Sequence, residues 1–192
     1  VEIFKTDSMN AGHSSFFGNA FGIKNATPTE VWFTQRLDKL VTYERDKYGV
    51  ERPVSNSSWP TLDPLYHPDD TSEDTAQIDL SHLILDLAPA GYFASYHAYP
   101  YYPDFISDQT NYQEYSDGYG PNSYLGYLID LKNHYSNIPL IIAEYGVPSS
   151  WGNASYAHSG MNHGGQTEVE QGEDNVRLLN NIYSTACGGG FL

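Results

Sequence analysis

The chain has 192 residues, enough for one domain with a real core or for part of a larger one, and no apolar run approaches the roughly 20 residues that cross a bilayer. Nine Lys and Arg against 24 Asp and Glu leave a formal net charge of −15, which disfavours nucleic acid because phosphate affinity rests on clustered cations. A single cysteine, Cys187, excludes an internal disulfide framework and a thiolate zinc cluster.

VEIF, at the amino end, reads as the close of a strand. TPTE, residues 27–30, marks a helix start: Thr27 can cap, Pro28 suits the first turn and Glu30 can close a capping box. Phe33, Leu37, Leu40 and Val41 then share one face and Gly49 acts as a stop, which predicts a helix over 28–48. RPVSNSSWP predicts a strand near 52–58, running into the Pro-rich loop TLDPLYHPDD. AGYFASYHAYPYYP predicts another near 91–97. SYLGYLIDLKNHY follows as a helix with Leu125, Leu128 and Ile129 as its apolar stripe, and LIIAEYG as a strand near 139–145. Beyond a Gly-, Ser- and His-rich loop, TEVEQGEDNVRLLNNIYSTA reads as a helix facing inward through Val169, Val176, Leu179 and Ile182 despite Gly172, and GGGFL as a strand just starting.

Five strands near residues 1, 54, 94, 141 and 191, with helical sequence in most gaps, predict a parallel sheet with right-handed crossovers. LIIAEYGVP, residues 140–148, takes a strand apolar enough to be covered on both faces and ends it on a carboxylate, at the edge where such sheets place ligands. Polar residues also follow two other strands, in NSSW (56–59) and YHAYPYY (96–102), where a (β/α)8 barrel builds its active site from several strand ends. The expected fold class is therefore α/β: a single domain over 1–192 forming the carboxyl-terminal portion of a (β/α)8 TIM barrel. It would cover about strands 4 to 8 and be truncated at both ends, with the missing strands on the same longer chain. No signal pattern appears at the amino end, so any targeting segment has been removed or lies upstream, and the compartment stays open, with the extracellular or periplasmic space favoured. Aromatic residues make up 15% of the chain, many in loop-like sequence; beside polar groups they suit a sugar, which offers an apolar C–H face and a hydroxyl rim.

AEYG at one strand end and SYHAYPYYPDF at the preceding one resemble retaining glycoside hydrolases of clan A, particularly the barrel domains of the family 2 β-glycosidase group. NATPTEVW, WPTLDPL, GYFASYHAYPYYPDF and AEYGVPSSWG extend that resemblance, to a bacterial subgroup of family 2-like hydrolases, over most of the chain. The resemblance implies a nucleophile at the close of the seventh strand, Glu144, and an acid/base at the close of the fourth, for which Glu2 is the candidate. Clan A places Asn before its acid/base, whereas Val1 stands here. It further implies retention, in which two carboxyl groups about 5 to 5.5 Å apart share the work of attack and proton transfer. His97 and Tyr99, alternating on the preceding strand, could donate to the nucleophile and hold it ionised. Asn56, Trp59, Tyr101, Tyr145 and Trp151 complete the candidate substrate contacts, through hydrogen bonds to sugar hydroxyls and ring stacking. The expected partner is a neutral oligosaccharide or polysaccharide.

Two other functions compete. Asp63, His67, Asp69, Asp70, His97, His158 and His163 offer ligands for a metal-dependent hydrolase, although no HExxH is present. A decayed barrel that binds carbohydrate without cleaving it is the second, separated from the first reading by whether a second carboxylate faces Glu144. No GxxxxGK or strand-borne GxGxxG calls for a nucleotide cofactor, no cofactor is expected, and no serine sits in a G-x-S-x-G context.

Overall fold

The computed structural model describes residues 2–68 and 76–192. Its first element corrects the sequence reading, because Glu2–Met9 forms a helix, α1, and not the close of a strand. Ile3 and Asp7, four apart, are the residues it turns inward. Ile3 packs on the core, and Asp7 caps the next helix by accepting from Thr29 N at 2.8 Å and Thr29 Oγ1 at 2.7 Å. Val1 lies outside the described residues.

A hairpin of β1 (Ser15–Phe17) and β2 (Gly22–Lys24) follows, its turn pinned by Asp38 Oδ1, which accepts from Ala20 N at 2.7 Å and Phe21 N at 3.1 Å. Helix α2 spans Pro28–Tyr48, as the spacing predicts, with the Thr27–Glu30 capping box formed and Gly49 left-handed at φ 64°. It buries Val31, Thr34, Leu37, Asp38 and Val41; Leu40 lies off that stripe and is half exposed.

Next come β3 (Ser57–Ser58), β4 (Ala94–His97), the short helices α3 (Asp104–Asp108) and α4 (Thr110–Gln113), and a small hairpin of β5 (Ser116–Asp117) and β6 (Gly120–Pro121). Helix α5 (Ser123–His134), β7 (Leu140–Glu144), the β8 (Asn153–Ser155) and β9 (His163–Gly164) hairpin and helix α6 (Glu168–Ser184) complete the order. Both late helices are rotated from the predicted faces. In α5 the buried stripe is Tyr124, Tyr127, Leu128 and Leu131, with Leu125 and Ile129 at its margin. In α6 it is Leu178 and Ile182, flanked by Arg177 and Asn181, while Val169 and Val176 are exposed. Leu128, Leu131, Leu178 and Ile182 have no exposed surface, each burial being worth roughly 1.5–3 kcal/mol.

β3, β4 and β7 pair in parallel, in that order. A Val54–Tyr92 bridge extends the first pair, and 188–191 runs parallel to β7, with Ile142 N bonded to Gly189 O and Phe191 N to Ile142 O, both at 3.0 Å. Four parallel segments therefore lie side by side in chain order. Ala94, Tyr96, Leu140 and Ile142 pack into the core shared with α5 and α6, whereas the other face carries Ser57, Ser95 and Ile141, aligned across the sheet. Among the described residues no sheet exceeds three strands or closes on itself, and no helix is long and apolar enough to cross a membrane.

Candidate functional site

The carboxyl ends of β3, β4 and β7 bring Ser57, His97, Tyr99 and Glu144 together. A bulge between Tyr96 and His97 shifts the register so that His97 stands opposite Glu144. Bulges re-aim side chains in this way beside active sites. Tyr99 hydroxyl donates to Glu144 Oε2 at 2.7 Å, a charge-assisted hydrogen bond. Burial, and then that carboxylate, push the Tyr99 pKa far above its usual value, so the group remains a donor throughout the working pH range. His97 Nδ1 approaches the same oxygen to 3.2 Å, an ion-pair distance, but at an angle too bent for a hydrogen bond. Its Nε2 lies 3.1 Å from Ser57 Oγ. The Glu144 side chain is 49% exposed and that of His97 19%, so the carboxylate faces solvent from a supported base.

Rings flank this carboxylate on both sides. Trp59 leans on the His97 ring at a centroid distance of 4.8 Å. On the other side Tyr99 stacks on Tyr101 at 5.6 Å, and Tyr101 on His163 at 4.4 Å with the planes 3° apart. Polar groups among ring faces can hold a polyol against a carboxylate.

Comparison with protein-family models, curated proteins and solved structures returns no match to this chain.

The geometry rearranges several expectations. Asn56 points to the opposite face of the sheet from Ser57, where its Oδ1 accepts from Tyr92 hydroxyl at 2.6 Å and it lines a small cavity with Ser58, Tyr96 and Tyr135. Tyr145 is a core residue, 7% exposed and packed against Gly190. Glu2 sits exposed in the first turn of α1, not at a strand end. Trp151 stands fully exposed beside a separate cavity. Ser57 and His163 join the cluster through pairings with His97 and Tyr101 that the sequence does not signal, since each meets its partner across dozens of intervening residues.

The histidine and carboxylate candidates for a metal are dispersed. His67 Nε2 lies 3.0 Å from Asp63 Oδ1, Nδ1 lies 3.1 Å from Gln109 Oε1, and the ring stacks on Phe105 at 3.6 Å; Tyr127 hydroxyl also donates to Asp63 at 2.9 Å. This buried network ties the loop after β3 to α3 and α5. His97 belongs to the Glu144 cluster, His163 to Tyr101, and His158 lies in the loop between β8 and β9, its backbone N–H bonded to Ser107 Oγ at 3.4 Å. Asp69 and Asp70 lie outside the described residues. Among the described residues no three such side chains are grouped to hold a metal ion.

Proposed function

We propose that the chain is an arc of a (β/α)8 barrel carrying the nucleophile side of a retaining glycoside hydrolase site for neutral oligosaccharides or polysaccharides. The hydrogen bond from Tyr99 hydroxyl to Glu144 Oε2 carries the reading: a carboxylate at a strand's carboxyl end, half open to solvent and held by a donor, is built to attack. Four parallel segments in chain order support the barrel, since consecutive order winds every crossover the same way around. A sheet with one face in the helical core and Ser57, Ser95 and Ile141 on the other suits an arc whose second face looks into a barrel.

In this mechanism Glu144 attacks the anomeric carbon and forms a glycosyl-enzyme while a second carboxyl group, about 5 to 5.5 Å away, protonates the leaving oxygen. The second group then deprotonates the water that releases the sugar. Glu2 stands exposed on α1 and not at a strand end, so this reading assigns the second group to another strand. His97 and Tyr99 keep the Glu144 carboxylate in place, and the flanking rings cover the sugar's C–H face.

An activated 2-deoxy-2-fluoroglycoside tests the first half of this cycle alone, because a dinitrophenolate leaving group needs no proton. Treatment with the gluco, galacto, manno and xylo compounds should place a mass adduct on the peptide containing Glu144, and Glu144→Gln should abolish it without changing the circular dichroism spectrum. A folded protein that takes no adduct but binds a polysaccharide would favour the rival reading, a carbohydrate-binding barrel; Tyr99 and His97 are the side chains that meet the Glu144 carboxylate.

A further inference from the structure

The loop after β7 presents Trp151 with its whole ring in water. That exposure belongs to a locked backbone. Gly164 and Gly165, at φ 97° and 75°, adopt left-handed conformations that favour glycine. A Cβ on Gly164 would collide with Ser150 Oγ and the Gly152 carbonyl oxygen, so 164 must be glycine for the two strands of chain to close. Gly165 N then donates to Ser150 O at 2.8 Å, Gln166 Nε2 to Pro148 O at 3.3 Å, and β8 pairs with β9 beside them. The sequence NHGGQ therefore acts as a clasp on the backbone that carries the exposed indole. Beside it lies a cavity of about 360 Å³, in the size range of small-ligand sites. Trp151, Ser149, Ser150, Gln166, Glu168 and Glu170 are among its walls.

The same clasp reaches the Glu144 site. His163, the residue before Gly164, stacks on Tyr101, which stacks on Tyr99, which donates to Glu144. Ser155 Oγ adds a contact to Tyr101 O at 3.4 Å. From the carboxylate to the Trp151 loop the connection is thus a run of ring faces and paired backbone. An indole face ringed by hydroxyls, an amide and carboxylates matches a pyranose, with its C–H face on the indole and its hydroxyls donating to the carboxylates. Glu168 and Glu170 on the rim, and a net charge of −15, select against uronic or sulfated sugars.

We infer that the Trp151 cavity is a distal sugar subsite, and that the ligand of the Glu144 site is a chain of several neutral sugar units and not a short glycoside. The inference rests on the glycosidase reading for what happens at Glu144, but binding at Trp151 can be measured apart from it. Isothermal titration with cellohexaose, xylohexaose, mannohexaose, laminarihexaose and maltohexaose should find at least one ligand for the Glu144→Gln protein. Trp151→Ala in that background should weaken it about tenfold, the scale of a lost aromatic stacking contact, and Trp151→Phe should restore most of the affinity. Hexagalacturonate should not bind. Binding that ignores Trp151→Ala, or the absence of binding to all five neutral hexasaccharides, would overturn the subsite. Trp151-dependent binding without any adduct on Glu144 would instead retain the subsite and remove the glycosidase.

Discussion

At the residue scale, Tyr99 is the support on which the candidate nucleophile depends. Tyr99→Phe keeps the ring and its stacking on Tyr101 but deletes the hydrogen bond to Glu144. Hydrogen bonds to charged groups are worth about 1.5–3 kcal/mol, so trapping of Glu144 should slow roughly 10- to 100-fold while the melting temperature moves little, because the lost partner is solvent-accessible. Rapid-quench mass spectrometry would measure the rate, and parental trapping in Tyr99→Phe would remove Tyr99 from the mechanism. Glu144, His97 and Tyr99 are legible in the sequence because a strand's alternation and a terminal carboxylate are local signals. The same alternation argues against Asn56 and Tyr145. Tyr145 follows Glu144 directly and turns to the core, and Asn56 faces away from its neighbour Ser57, since one step along a strand changes its face. Ser57 meets His97 40 residues away, a pairing that needs the register of β3 on β4 and is not encoded by either stretch alone.

At the element scale, two helix glycines have opposite predicted effects. Gly126 lies where α5 meets α4: an added Cβ would stand 2.7 Å from the Tyr115 ring and 2.9 Å from the Tyr112 backbone. Gly126→Ala gains about 1 kcal/mol of helix propensity but must displace main chain, and overpacking of that kind costs about 1–3 kcal/mol or more. The clash wins, and urea denaturation should show a loss of about 1 kcal/mol or more. Gly172, in α6, has open space around its Cβ position and ordinary helical backbone, so Gly172→Ala should stabilise by about 0.5–1 kcal/mol. A stabilised Gly126→Ala, or a destabilised Gly172→Ala, would contradict the packing described. The boundaries of α2, α5 and α6 are readable because capping residues and stops are local: Thr27, Asn122 and Thr167 all cap as their side chains allow. Their inward faces are less so. Val169 and Val176 are apolar and periodic yet exposed, because Arg177 and Asn181 turn inward to bond Asp117 at 2.8 and 3.2 Å. The hairpins β1–β2, β5–β6 and β8–β9 escape periodicity altogether, being two or three residues per strand.

For the whole molecule, the parallel order of the sheet was readable from alternation, but the first strand was not: Ile3 and Phe4 at the start of EIFKTDSM fit a strand end or an amphipathic turn equally, and packing of α1 on α2 decided for the helix. Beside the shared apolar core, two ionic cross-links join distant parts of the chain and give stability a definite pH profile. Asp117 receives Arg177 at 2.8 and 3.0 Å, linking the β5–β6 hairpin to α6, and Asp79 meets His134 at 3.1 Å, linking the loop before β4 to the end of α5. Burial alone would raise both carboxyl pKa values; the hydrogen bonds from Arg177, and from His134 and Ser81, outweigh it, bringing Asp79 to about 2 and Asp117 well below the usual range. Lowered carboxyl values stabilise the fold above pH about 4 and lose that contribution as pH falls toward 2. His134 is shifted upward by Asp79, so its contribution is complete below about pH 6.5 and declines as pH rises through the folded value. With 24 acidic residues against nine basic ones, repulsion among ionised carboxylates adds to the decline on the alkaline side. The melting temperature should therefore be greatest between about pH 4 and 6.5, fall steeply below 4 and fall gently above 7. Asp117→Asn should lower the plateau and flatten the acid limb, because the variant has no carboxylate there to protonate. A wild-type melting temperature constant from pH 6 to 3, or an acid limb equally steep in Asp117→Asn, would show that these cross-links do not hold the molecule together.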